Sequence, residues 1–317
     1  MEKEYGGYLT IELNSGQEYY RGSDVMAFNC ARSAIAYVIQ ENNFSKLYLP
    51  VYMCESVRNR LIDKIEIQYY NINEAMEPEV ETIENSAVIM IPNYFGIRDH
   101  DISRYDRFRH IIFDNTQAFF QKPIMRKGVF NVYSCRKFIG VCDGAYLIAC
   151  DMDKKELIRY EPQFAGYMLD AVTYGTNNQY KMSLSNEEQL ERKEILEMSL
   201  LSQKILEGID YQKIAEKRKR NFERVHQQLR DYNELSFEYM EECVPMVYPF
   251  LHESGFLRKE LVDHKIYIPQ WWKYILQEEQ ANEYEKYLCK YLLPLPIDQR
   301  YNDDDIYNII NVVKDRL

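Results

Sequence analysis

Three residues with chemical potential stand at the ends of neighbouring apolar runs. Ile111-Ile112-Phe113 ends in Asp114, with Gln117 three residues on; a second run, 129–133, ends in Ser134, three residues before Lys137. An amine beside a strand end is suited to forming a Schiff base with an aldehyde cofactor. Pyridoxal phosphate (PLP) is such a cofactor, and it also requires an acid at its pyridine nitrogen that keeps the ring protonated and electron-withdrawing. Its phosphate needs donors, typically a helix N-terminus with a hydroxyl nearby. The stretch NCARSAIAYVI, residues 29–39, reads as a loop passing into a helix, with Ala31, Arg32 and Ser33 in the first turn. Lys137 is then the candidate amine and Asp114 the candidate acid. Ala31, Arg32, Ser33 and Ser134 form the candidate phosphate cup, and Gln117 is a candidate partner of the cofactor's phenolic oxygen. The same residues admit a plainer reading, in which Lys137 and Asp143 are surface-loop residues and Asp114 caps a turn.

The elements that must position these residues are legible as alternating patterns. Strand-like runs cover 46–50, 66–72, 87–92, 110–114, 129–134 and 145–150, with helical patterns at 33–40, 55–64 and 103–109. Such alternation predicts βαβ units and a mainly parallel sheet sandwiched by helices, with part of it mixed where the crossover segments are short. In open parallel sheets functional residues collect at the carboxyl ends of strands, which is where Asp114, Ser134 and Lys137 fall. Further on, apolar residues at helical spacing predict two helices broken at Gly208-Ile209-Asp210, with Asp210 as N-cap. A strand at 245–251, a helix at 257–263, a strand at 265–269, a helix at 278–291 and a last helix at 303–313 complete a smaller α+β part. The expected division is a large α/β domain over 1–207 and a small α+β domain over 208–317. Linker-type composition is absent, so the two parts are expected to pack tightly.

Composition narrows the function. The chain has 317 residues, 46% of them hydrophobic, enough for about two domains with cores of their own. A formal net charge of −11 argues against a broad nucleic-acid surface. The basic cluster at 217–220 reads as a solvated helix face. No run approaches the ~18 apolar residues of a membrane span, and the first residues lack the apolar core of a signal peptide. Seven cysteines without a CxxC pair, and five histidines without ligand spacing, give no metal pattern. Unpaired thiols without an export signal predict a cytoplasmic protein. The 28 tyrosines read as amphipathic strand and interface residues.

Nearly the whole chain resembles the DegT/DnrJ/EryC1/StrS family of PLP-dependent sugar aminotransferases, which have fold type I. The resemblance rests on GGY at 6–8, NCARSAIAYVI, LPVYMCESV at 49–57 and PNYFG at 92–96. It continues through DNTQAF and SCRKFIGVCDGAYL to VPMVYPFL and LPLPIDQRY. It implies that Asp114, in a D-x-x-Q-A motif, pairs with the pyridine nitrogen. It also implies that Lys137, ahead of the turn from Gly140 to Gly144, carries the Schiff base. There are departures. The family's ring-stacking aromatic falls near Met53 or Cys54, with Tyr52 one residue off. A partner-subunit Asn-Tyr-Arg segment has no match in EILEMSLLSQ. The resemblance implies a cytoplasmic homodimer that transfers an amino group from an amino acid such as glutamate to a nucleotide-linked keto-sugar, for polysaccharide or secondary-metabolite synthesis. Two other readings remain: a PLP-dependent sugar dehydratase, which retention of Lys137 weighs against, and a non-catalytic relative that binds a nucleotide-sugar or protein partner.

Overall fold

The computed structural model describes residues 5, 7, 9–99, 101–237 and 239–317. Gly6 and Tyr8 of the GGY start lie outside the described residues. At the centre is a seven-stranded sheet. In chain order its strands are β1 (Val25–Phe28), β2 (Lys46–Pro50), β3 (Glu66–Tyr70), β4 (Val88–Pro92), β5 (Ile111–Asn115), β6 (Val129–Ser134) and β7 (Ala145–Ile148). Their spatial order is β1-β7-β6-β5-β4-β2-β3. Strands β2 to β6 are mutually parallel, and β7 runs antiparallel to both β6 and β1. The expectation of a mainly parallel sheet with a mixed part therefore holds, and the mixed part is β7. Strands β5, β6 and β7 are buried along their whole length, which is why they read as continuous apolar runs rather than alternating ones.

The register sets up the site. Pro92 pairs with Asp114 across β4 and β5, and Asp114 pairs with Val132 across β5 and β6. The carboxyl ends of three parallel strands thus lie side by side, with Ser134 at the tip of the third.

Helices α1 (Ala31–Glu41) and α2 (Glu55–Leu61) join β1 to β2 and β2 to β3. The expected helix at 103–109 is only a 3-10 turn over Ile102–Tyr105, and residues 116–128 cross from β5 to β6 without a helix. Next come α3 (Gly166–Tyr174), α4 (Tyr180–Leu190), α5 (Leu200–Glu207) and α6 (Tyr211–Leu229). As expected, the α5–α6 break is capped by Asp210, whose carboxylate accepts the Lys213 N–H at 3.0 Å. The remainder is β8 (Tyr248–Leu251), α7 (Leu257–Asp263), α8 (Glu283–Tyr291), β9 (Leu292–Leu295) and α9 (Asp303–Lys314), with β8 and β9 forming a separate antiparallel pair. Two expectations are corrected here. Residues 265–269 form no strand, because Lys265 adopts a φ of 62°, outside the extended region. The helix expected from 278 starts at Glu283, because Asn282 and Glu285 build a capping box that fixes its first turn.

Alternate residues of the central strands face opposite cores. Ile112 belongs to one apolar cluster with Ala34, Ile35 and Val38 of α1. Ile111 and Phe113 join a cluster that runs on through Phe222, Tyr248, Leu288, Ile306 and Val313. The C-terminal elements therefore share one apolar core with the sheet, consistent with the tight packing expected from the lack of a linker.

Candidate active site

A cleft of about 290 Å³ opens at the carboxyl ends of β4, β5 and β6, near the lower end of the roughly 300–1,000 Å³ typical of small-molecule sites. Asp114 lines it while only 8% exposed. Its Oδ1 accepts the Thr116 N–H at 3.0 Å, a local turn that follows directly from the strand end. Lys137 reaches the same place from the other side. Just after β6 the chain makes one tight turn, in which the Phe138 and Ile139 N–H groups both donate to Cys135 O, at 3.0 and 2.9 Å. From this turn Lys137 Nζ donates to Thr116 Oγ1 at 3.0 Å. Thr116 therefore ties the acid to the amine.

Lys137 as a residue is exposed to solvent at the cleft, while its terminal amine is enclosed by the surrounding protein. That enclosure holds the pKa of its ammonium below the ordinary lysine value, helped by the positive charges of Arg136 and Arg32 and opposed by Asp114 and Cys54. A lysine tuned in this direction has more of the neutral, nucleophilic amine near neutral pH.

The turn that carries Lys137 is fixed from behind. Asp143 is fully buried and accepts the Ser199 N–H at 2.8 Å, the Ser199 hydroxyl at 2.6 Å and the Ser202 hydroxyl. Gly144 has a φ of 129°, and a β-carbon there would meet Cys135 Sγ and Met198 Cε at 3.3 Å. Of the plainer reading, the surface-loop position fails for Asp143, whereas Lys137 is an exposed residue of the turn after β6 and Asp114 does cap a turn, at Thr116. Asp143 is a core acid, and Lys137 faces a cleft.

Gln117 also lines the cleft. Its Oε1 accepts the Phe95 N–H at 2.8 Å, which leaves Nε2 as the group for a ligand. This contact requires the PNYFG loop to come close: Phe95 and Gly96 both have positive φ, and a β-carbon at Gly96 would lie 2.5 Å from Gln117 O.

The cationic side of the cleft is built by α1. Its N-cap, Cys30, makes no side-chain cap, and the first helical bonds run from the Ser33 and Ala34 N–H groups to Cys30 O. The Ala31 and Arg32 N–H groups precede those bonds, and both residues line the cleft. Arg32 Nη1 donates to Ser56 Oγ at 3.2 Å, while its Nε and Nη2 are buried without a partner among the described residues. Arg136 pairs with Glu187 across the cleft, and its Nε is likewise buried without a partner. Ser134 completes this wall. Orphaned guanidinium atoms beside an uncapped helix N-terminus favour an anion.

Ser33 is the sequence-predicted residue that the structure places elsewhere. Its side chain is fully buried on the inner face of α1, where the hydroxyl donates to Glu194 O at 3.4 Å next to Arg60. One residue beyond Arg32, the helix turns its side chain about 100° away from the cleft. Tyr52 is also turned away, as its position one residue off implied. It is fully buried, and Met53 and Cys54 line the cleft in its place. The sequence reading missed Thr116, Arg136, Asn93, Tyr94 and Trp272, all of which line the cleft. Thr116 and Arg136 sit inside the motifs already singled out and were available. Trp272 carried no signal.

No family model and no curated protein matches the sequence. Solved structures match over almost the whole chain. The sugar aminotransferase CalS13 from Micromonospora echinospora superposes with a TM-score of 0.62 at 12% identity, over 93% of this chain and 88% of the other. A DegT DnrJ EryC1 StrS aminotransferase from Brucella abortus matches with a TM-score of 0.58 at 12% identity, over 92% and 85%. NtdA from Bacillus subtilis, with bound cofactor PMP, matches with a TM-score of 0.58 at 15% identity, over 92% and 73%. The chain has the fold of these aminotransferases, the fold type I architecture that its sequence resembles.

Proposed function

We propose that the protein is a PLP-dependent aminotransferase that moves an amino group from an amino acid, such as glutamate, to a keto-sugar, carried on a nucleotide. The observation that carries this reading is the bridging of Lys137 and Asp114 by Thr116 within one cleft, beside the uncapped start of α1. The residues fit PLP. The orphaned nitrogens of Arg32 and Arg136, and the Ala31 and Arg32 N–H groups that precede the first helical bonds, suit a phosphate. A carboxylate and an amine with a lowered pKa line the same cleft, the two groups that a pyridine nitrogen and an aldehyde call for.

When bound, PLP supplies an electron sink that stabilises negative charge at the substrate's α-carbon. The chain's own residues do the rest. Lys137 would attach the cofactor and later hold the proton that leaves the donor's α-carbon, since its amine is the base lining the cleft. Asp114 would hold the proton on the ring nitrogen through a charge-assisted bond. Ala31, Arg32 and Ser134 would bind the phosphate, and Gln117 Nε2 the phenolic oxygen. Thr116 would keep Lys137 in place when no carbonyl is bound. Retention of Lys137 as a base favours transamination over dehydration.

The sugar acceptor is supported by the match to CalS13, itself a sugar aminotransferase. We further propose a homodimer in the cytoplasm. Support for the dimer comes from α3 and α4, where no α3 residue is buried and Leu169, Val172, Tyr174 and Tyr180 stand open to solvent. Support for a reducing compartment comes from seven cysteines that are all unpaired.

The test is a panel of amino donors and nucleotide-linked keto-sugars given to the PLP-loaded protein, with amino-sugar formation read by mass spectrometry. Amination that depends on Lys137 is the expected result. Tight PLP binding with no amino transfer from any donor would overturn the transaminase reading.

A further inference from the structure

Two large aromatic rings line the cleft, Tyr94 and Trp272. Tyr94 offers little of its face: it is buried, and its hydroxyl is tied to Tyr52 O at 2.7 Å. Trp272 is only half-buried. Its backbone lies in the left-handed region, at φ 53° and ψ 49°, which for a bulky residue is an outlier that persists only where the surroundings hold it. Here they do. Two residues on, the Tyr274 hydroxyl donates to Val51 O at 3.1 Å and to Met53 O at 2.9 Å. The Tyr52 ring meets the Trp272 ring edge-on at 4.6 Å and 80°. Cys289 Sγ donates to Trp272 O at 3.4 Å. The segment is thereby pinned onto the loop between β2 and α2, the loop that brings Met53 and Cys54 into the cleft without an aromatic ring.

We propose that Trp272 is the aromatic platform of this cleft, packing from the C-terminal part of the chain against the pyridine ring of the cofactor. This rests on the PLP reading above. A protonated pyridine ring is flat and electron-poor, while an indole face is electron-rich, so face-to-face or offset contact between them is favourable. Phosphate and ring-nitrogen contacts hold such a cofactor by its edges and leave its faces to be covered. Of the two rings in the cleft, Trp272 is the more exposed, and it is held by Trp271, whose ring stacks against it at 6.0 Å. The platform is rigid because its backbone, its carbonyl and the neighbouring Tyr274 are all anchored. Through the same contacts, residues far apart in the chain close on one ligand: the loop after β2, the strand end at Asp114 and the segment before α8.

The test uses cofactor-free protein, with PLP affinity measured by equilibrium dialysis and the bound state read by visible circular dichroism. Trp272→Ala is expected to weaken PLP binding roughly five- to tenfold, the scale of one aromatic contact, and to change the dichroic band of the bound cofactor. Trp272→Leu keeps apolar bulk without a ring and should lose as much. Trp272→Phe should recover most of the affinity. Phe256→Leu serves as the control, because Phe256 is exposed at the start of α7 and does not line the cleft; Trp271 is unsuitable, since its ring stacks on Trp272 at 6.0 Å. Thermal melting without PLP shows that each variant is folded, and the leucine variant stands in if the alanine variant is not. Wild-type affinity and an unchanged dichroic band in Trp272→Leu would overturn the platform alone. Failure of the wild-type protein to bind PLP would overturn the cofactor reading, and the platform with it.

Discussion

Lys137 Nζ sits 3.0 Å from Thr116 Oγ1, and the Thr116 backbone N–H sits 3.0 Å from Asp114 Oδ1. One threonine thus joins the ends of two adjacent parallel strands, and with them the two groups on which the proposed chemistry depends. The arrangement follows from register. Because Asp114 pairs with Val132, the acid and the residues after β6 emerge on the same edge of the sheet.

Asp114→Asn is expected to leave the fold intact and slow amino transfer on the order of 10²–10³-fold, the range for removing one preorganised electrostatic contact. An amide cannot hold the ring-nitrogen proton as a carboxylate does. Steady-state turnover at saturating PLP reads the effect, and near-wild-type turnover would assign the role to another acid.

The pH dependence of Lys137 has a definite sign. Enclosure and two arginines lower its pKa, and Asp114 raises it. Modification of Lys137 in cofactor-free protein, followed by peptide mass spectrometry, should therefore reach half its maximal rate below pH 10.5, the ordinary lysine value. Arg32→Ala removes a cation and should move the midpoint up. Asp114→Asn removes an anion and should move it down. Shifts in the opposite directions would mean that these charges do not face the amine.

Ser134→Ala should weaken PLP retention while leaving covalent attachment possible at high PLP. The expected loss is about 1.5–3 kcal/mol, the worth of a hydrogen bond to a charged group, or about tenfold or more in affinity. Dialysis against graded PLP measures it. Equal affinity in variant and wild type would remove Ser134 from the phosphate site and leave it to Arg32, Arg136 and the start of α1.

Asp143 does its work through structure. Asp143→Ala would strand the Ser199 N–H and two hydroxyls in the interior. It should cost about 2–4 kcal/mol of stability and loosen the turn that carries Lys137. Urea denaturation of the cofactor-free protein checks this, and a change within about 0.5 kcal/mol, the usual size for a surface substitution, would show that the buried serines find other partners.

What the sequence made legible, and what it did not, divides along physical lines. Asp114, Ser134 and Lys137 could be found because apolar runs buried on both faces end abruptly, and the polar residues at and just after such ends line the cleft. Asp210 could be found because a capping side chain acts on its own helix. Ser33 could not be placed, because neighbouring positions at a helix start point in different directions, and one turned inward to Glu194 and Arg60. Strand β1 was missed because four residues, paired only with the reversed β7, carry too little pattern. Trp272 was invisible for a different reason: it reaches the cleft only through tertiary contacts with the loop after β2, and no local spacing encodes them.

The most direct test of the central claim is to load the protein with PLP, reduce it with borohydride and map the labelled peptide by mass spectrometry. The expected result is a single pyridoxyl label on Lys137, lost in Lys137→Ala together with the visible absorbance of the bound cofactor. A label on a different lysine, or no label on a protein that binds PLP tightly, would contradict the assignment of Lys137.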